Sequence, residues 1–224
     1  MPLRILIVED IFLTRDQLKK LIAEEIPGSE IVAVESVGEG HREIEKLLAR
    51  DLQFDAAVLD LNIPKEHGGP PEFDESLFTT VSRDMPETLL IAVSAHSDFM
   101  QVLEAKYRPP SDTPVKLLSL FIHKKDVDWA HQLIRALKSH LYGQPIRREL
   151  RELFGASGRP NAPVARRGGA ARRGGLTHRL EALISDIRKH WEDLDNGLRA
   201  EIQEYFDVIP AASDEPRRVG LRGF

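Results

Sequence analysis

The sequence predicts an α/β fold: a doubly wound, five-stranded parallel sheet followed by a helical extension at the C-terminus. Three observations predict it. Apolar, β-branched runs of strand length alternate with segments that carry apolar residues at helical spacing. Four of those runs end in polar residues, at the carboxyl ends where parallel α/β sheets build their sites. Beyond Gly143 the strand pattern stops and only helical periodicity is left.

Taken in order, residues 3–8 form the first apolar run, which ends in Glu9 and Asp10. Leu18, Leu21, Ile22 and Ile26 mark a first helix, with Pro27-Gly28 as its stop. Residues 31–37 read as the second strand, and Ile44, Leu47 and Leu48 as one face of the second helix. Residues 54–60 form the third strand, which ends in Asp60 and is closed by Pro64. Phe73, Leu77 and Val81 suggest a third helix. The run 89–93 leads into Ser94, and Phe99, Val102 and Leu103 suggest a fourth helix. The last strand, 117–123, runs into Lys124-Lys125. Ala130, Leu133, Ile134, Leu137 and Leu141 stripe a fifth helix that opens near Asp126 or Asp128 and stops at Gly143.

An aspartate after a single strand is commonly a turn residue or a helix cap. Two acid-tipped strands side by side are a different matter. Glu9, Asp10 and Asp60 would converge at one sheet edge, which is unfavourable unless a divalent cation or a cationic side chain sits among them.

The ordered set of acid pair, aspartate, hydroxyl and lysine resembles the receiver domain of two-component response regulators. The resemblance rests on RILIVED, DAAVLDLNIP, AVSAH and FIHKKD, and it covers residues 3–142. It implies a flavodoxin-like fold and a Mg2+-dependent site. Asp60 would accept a phosphoryl group from a sensor histidine kinase or a small phosphodonor. Asp10, Asp60 and the main-chain carbonyl of Asn62 would ligate the metal, with Glu9 acting directly or through water. Lys124 would pair with Asp60 and then with a phosphoryl oxygen. Ser94 would hydrogen-bond another such oxygen, and Phe121 would switch rotamer with it. Phe121 is equally well read as a core aromatic. The protein would catalyse only its own phosphorylation and dephosphorylation.

The chain departs from that pattern in four places. Glu9 replaces the more usual first aspartate. Lys125 follows Lys124 where a proline is common, so Lys125 competes for the role, although Lys124 keeps the three-residue spacing to Phe121. Insertions occupy residues 65–71 and 108–114. A metal-dependent phosphohydrolase is an alternative on a similar fold, but such enzymes want a second aspartate two residues after the first, and Asn62 stands there.

Composition sets the outer bounds. No cysteine is present, which excludes a disulfide framework and a thiolate metal site and suits a cytoplasmic protein. No apolar run approaches the roughly 20 residues of a membrane span, and no signal peptide is read at the N-terminus. Residues 1–140 hold 16 basic and 24 acidic side chains, while 141–224 hold 15 and 12. The boundary therefore falls near Gly143, giving a receiver at 1–143.

Residues 144–154 read as a short helix or an extension of the fifth helix. Residues 155–176 read as a flexible Arg/Gly-rich linker containing a six-residue duplication, 165–170 and 171–176. Such a tract can bind nucleic acid, but without aromatic residues the support is thin. Residues 177–209 read as helical, capped by Thr177, with Leu180, Leu183, Ile184, Ile187, Trp191 and Leu194 on one face. Asp195 would cap a second, shorter helix carrying Leu198, Ile202, Tyr205 and Phe206. His190 lacks the four-helix setting of a phosphotransfer histidine. One or two such helices cannot bury their stripe alone, so they would pack on the receiver, dimerise with a second copy or bind a protein partner. Residues 210–224 read as a mobile tail.

Overall fold

The computed structural model describes residues 2–107, 119–154 and 170–207, which divide into two units, Met1–Leu141 and Tyr142–Phe224. The first holds β1 (Arg4–Val8), α1 (Phe12–Glu25), β2 (Glu30–Val34), α2 (Val37–Leu48), β3 (Ala56–Asp60), β4 (Asn62–Pro64), β5 (Pro71–Phe73), α3 (Ser76–Asp84), β6 (Leu89–Ser94), α4 (Ser97–Tyr107), β7 (Ser119–His123) and the start of α5 (Trp129–Phe154). Five strands form one parallel sheet in the order β2-β1-β3-β6-β7. This is the doubly wound, flavodoxin-like order, and its switch point lies between β1 and β3.

Strands β1, β3 and β6 are buried on both faces, which explains why they read as unbroken apolar runs rather than alternating ones. Leu6, Val8, Ala57, Leu59, Leu90 and Ala92 point into a core closed by α2, α3 and α4. Ile5, Ile7, Val58, Ile91 and Val93 face the other way and are equally buried. Leu18 and Ile22 of α1 and Leu133 and Leu137 of α5 are buried too, and Lys138 of α5 reaches Glu25 of α1 at 2.7 Å.

The second strand ends at Val34, not residue 37. Ser36 accepts the Glu39 amide, and the Glu39 carboxylate accepts the Glu35 amide, so Val37 opens α2 instead of closing β2. Phe73 is not helical either. The insertion after Pro64 folds back as an antiparallel hairpin in which Phe73 pairs with Asn62, and α3 starts at Ser76. Residues 108–118, which include the second insertion and the start of the expected last strand, lie outside the described residues.

Helix α5 does not stop at Gly143. It continues through Pro145 to Phe154, so residues 144–154 extend the fifth helix. Pro145 has no amide to donate to the Leu141 carbonyl, and the boundary between the two units falls at that residue. Gly143 is used for close packing: a Cβ there would lie 3.0 Å from Leu198.

The second unit adds α6 (Ala170–His190), a 3-10 turn at Trp191–Asp193 and α7 (Asn196–Asp207). α6 begins seven residues before Thr177, so Thr177 lies inside the helix rather than capping it, and the second copy of the Arg/Gly duplication is helical. Residues 155–169 and 208–224 lie outside the described residues. Ile146, Leu150, Leu153 and Phe154 of α5 share a core with Leu183 and Ile187 of α6, with Leu194, and with Leu198, Ile202 and Tyr205 of α7. The apolar stripes therefore find a partner within the chain. The partner is the segment 144–154, which continues α5 as one helix and supplies the third member of the core. Arg179 bridges Glu149 and Glu152 at 2.8 Å each, and Asp195 caps α7 through the Leu198 amide at 2.7 Å. His190 stacks on Tyr142 with ring centres 3.9 Å apart.

Candidate functional site

The switch point puts the ends of β1 and β3 side by side, so the residues just past them share one crevice. Glu9, Asp10 and Asp60 each place a carboxylate oxygen within 4.8 Å of the others. Glu9 and Asp60 are 1% and 7% exposed. From the end of β7, Lys124 Nζ donates to Glu9 Oε2 and Asp60 Oδ2, 2.5 Å from each. One ammonium therefore bridges two buried acids and offsets the charge of one of them, and Lys125 is exposed at the surface.

Backbone bonds hold this geometry. The Lys124 amide donates to the Ser94 carbonyl at 2.9 Å, which ties β7 to β6 where both strands leave the sheet. The Asn62 amide donates to Asp60 Oδ1 at 3.0 Å, and Asn62 is itself paired with Phe73 in the hairpin. Ser94 is fully buried and its hydroxyl oxygen accepts the His96 amide at 3.0 Å, which leaves the hydroxyl proton available to donate. Phe121 is half-buried and stacks on Phe78 with centroids 5.9 Å apart.

The electrostatics follow from burial. Desolvation pushes the Glu9 carboxyl above its ordinary value, and the nearby Asp60 charge adds to this, while Lys124 opposes it. Burial by itself would pull Lys124 down. The charges of Asp60 and then Glu9 outweigh it and hold the ammonium above the usual lysine range. Three carboxylates against one ammonium leave two negative charges, the charge of one divalent cation. The donors are all hard oxygens, so the residues fit Mg2+ better than a softer metal.

No family model matches the chain, and no curated protein matches it. Solved structures do resemble it. One is a response regulator receiver domain protein (CheY-like) from Methanospirillum hungatei JF-1, at 21% identity and TM-score 0.47, covering 66% of this chain and 99% of that one. Another is the signal receiver domain of a putative Luxo repressor protein from Vibrio parahaemolyticus, at 20% and 0.45, covering 66% and 96%. A third is the response regulatory domain of mrkE from Klebsiella pneumoniae, at 19% and 0.46, covering 64% and 98%. The likeness is to receiver domains. At these identities and scores, the fold assignment rests on the strand order of the sheet itself.

Two features of the site have no counterpart in the sequence reading. The first is the hairpin, whose strands are three residues each and contain prolines at both ends of one pairing, too short for a period-2 signal. The second is Arg15. Its guanidinium donates to the carbonyls of Glu9 (2.5 Å) and Asp10 (3.2 Å) and pairs with Glu35 at 3.2 Å. The available signal was Ile11, a residue that cannot cap α1, with an arginine one turn later.

Proposed function

We propose that the chain is a two-component response regulator in which Asp60 accepts a phosphoryl group from a histidine kinase. The observation that carries this reading is the convergence of Glu9, Asp10 and Asp60 around Lys124 at the switch point of the sheet. In the transfer, an Asp60 oxygen attacks phosphorus, the bond from phosphorus to the donor breaks, and an acyl phosphate forms. Charge on the equatorial oxygens has to be met by preset donors. Lys124 can move from Asp60 to a phosphoryl oxygen, and the Ser94 hydroxyl can donate to another without giving up its bond from His96. Glu9, Asp10, Asp60 and the Asn62 carbonyl would hold Mg2+, which supplies charge neutralisation at the transferring group. Phe121 would follow Ser94 as the rotamer switch.

Access agrees with a protein donor. Ile11, Phe12 and Leu13 follow the acid pair directly and are 56%, 72% and 62% exposed, an apolar group that a partner can cover. The output would be protein–protein contact through the C-terminal helices, whose closed core makes them a folded body of their own. Because that core already buries the stripes, self-association is not needed to cover them.

A small phosphodonor with Mg2+ should add one hydroxylamine-sensitive phosphoryl group per chain, absent in Asp60→Asn. Stoichiometric labelling of that variant would overturn the assignment. Affinity capture with the full chain, with and without beryllofluoride, then identifies which contacts depend on the phosphorylated state.

A further inference from the structure

We propose that Arg15 is a positioning residue for the Glu9–Asp10 pair, and that the insertion hairpin holds Arg15 in place through His67 and Glu35. The inference rests on the metal-site reading of those acids. Helix α1 begins at Phe12 with Ile11 as its cap residue and no side-chain hydrogen bond there. The cap position next to both acids therefore lacks the usual Ser, Thr, Asp or Asn side chain that would fix the turn. The Ile11 amide reaches back to Glu9 Oε1 at 3.3 Å, a long bond.

Arg15 provides what the cap does not. Its side chain is 14% exposed, and one nitrogen of the guanidinium donates to both the Glu9 and the Asp10 carbonyl. The other nitrogen faces Glu35 Oε2 at 3.2 Å. With one nitrogen on two consecutive carbonyls and a second nitrogen on Glu35, the planar fork sets the backbone of the turn, and with it the directions in which the two acid side chains leave. A lysine, as a point charge on a flexible stem, cannot reproduce that fork.

Glu35 is the shared partner. Its second oxygen pairs with His67 Nδ1 of the hairpin loop. The same loop is anchored on α2, where the Gly38 amide donates to the Lys65 carbonyl at 2.8 Å and the Glu66 carboxylate lies against Gly38, where an added Cβ would sit 2.8 Å from it. The chain of contacts runs His67, Glu35, Arg15, and then the carbonyls of Glu9 and Asp10. It links an inserted surface element to two metal-ligand candidates through hydrogen bonds and ion pairs.

The test is Mn2+ affinity of the full chain, measured by electron paramagnetic resonance as a stand-in for Mg2+, with Mg2+ competition. Arg15→Met should weaken binding by about tenfold or more, the usual effect of losing a group that orients metal ligands. Arg15→Lys should remain close to Arg15→Met. His67→Ala, at a side chain 77% exposed and with no reason to unfold the protein, should weaken binding about threefold alone and not at all in the Arg15→Met background. In EDTA, Arg15→Met and His67→Ala should each speed amide exchange at Ile11–Leu13 with the far-UV spectrum unchanged. Wild-type affinity in Arg15→Met, full recovery in Arg15→Lys, or additive losses with His67→Ala would each overturn the inference. Failure of the wild-type chain to bind Mn2+ would overturn the metal-site reading itself, and the inference with it.

Discussion

Removing the charge of Lys124 should expose how the site is held together. In Lys124→Met the side-chain volume is nearly kept, while Glu9 and Asp60, 1% and 7% exposed, lose the ammonium 2.5 Å from each. Leaving a buried charge unpaired costs about 3–5 kcal/mol. Protonation of one acid limits that cost, and Glu9 is the natural acceptor because burial already holds its carboxyl above the ordinary range. Against an unfolded glutamate titrating near 4.3, keeping Glu9 protonated at pH 7 costs about 3.7 kcal/mol, falling to about 1 kcal/mol at pH 5. Lys124 itself adds no pH dependence in this window: its folded value is raised, so its contribution is fully present below the ordinary lysine range and is lost only at higher pH. A raised carboxyl works in the opposite sense. Its penalty appears above the unfolded value and fades as pH falls. The variant should therefore be destabilised by about 3–4 kcal/mol at pH 7 and about 1 kcal/mol at pH 5. The assay is urea unfolding in EDTA in a Trp191→Phe background, which leaves Trp129 as the sole tryptophan reporter of the sheet unit. A deficit under about 1 kcal/mol at pH 7, or one that does not shrink at pH 5, would refute the claim that Lys124 holds the two buried acids in their charged form.

Two further outcomes concern the helical unit. Gly143→Ala should be close to neutral, because about 1 kcal/mol of helix propensity offsets a 3.0 Å approach to the flexible end of Leu198, whereas Gly143→Leu should cost about 1–3 kcal/mol by overpacking; thermal melts compare the two. Asp195→Ala removes the cap on α7 and its contact with Arg147, and should cost about 1 kcal/mol in the same melts without changing Mn2+ affinity.

The sheet was legible because β1, β3 and β6 are buried on both faces, so composition alone marks them as strands. The acids were legible because two neighbouring strands both end in carboxylates, which need a cation among them. What could not be read depended on distant partners. Val37 looks like strand until the Ser36 and Glu39 caps are counted, and Gly143 looks like a stop until Leu198 packs against it. Phe73 carries helical spacing to Leu77, yet its backbone is claimed by Asn62. Lys124 and Lys125 differ in sequence by almost nothing. The Lys124 amide bond to the Ser94 carbonyl sets which of them turns inward.

The charges at the site also bear on why a neutral hydroxyl, that of Ser94, ends β6 beside it. With Lys124 in place, the three acids leave two negative charges, which one divalent cation balances. On the proposed function, phosphorylation would replace the single charge of Asp60 by up to two on the phosphoryl group, so the metal-bound site would become negative again by about one charge. Another acid nearby would oppose that step. A second lysine would balance it, but would also hold the resting pocket closed to metal by pairing with Asp10. A neutral hydroxyl does neither. Ser94, buried and already fixed through its oxygen by His96, would offer a proton to the added oxygens without changing the charge of the resting site. On this argument Ser94→Ala weakens retention of beryllofluoride more than binding of Mn2+.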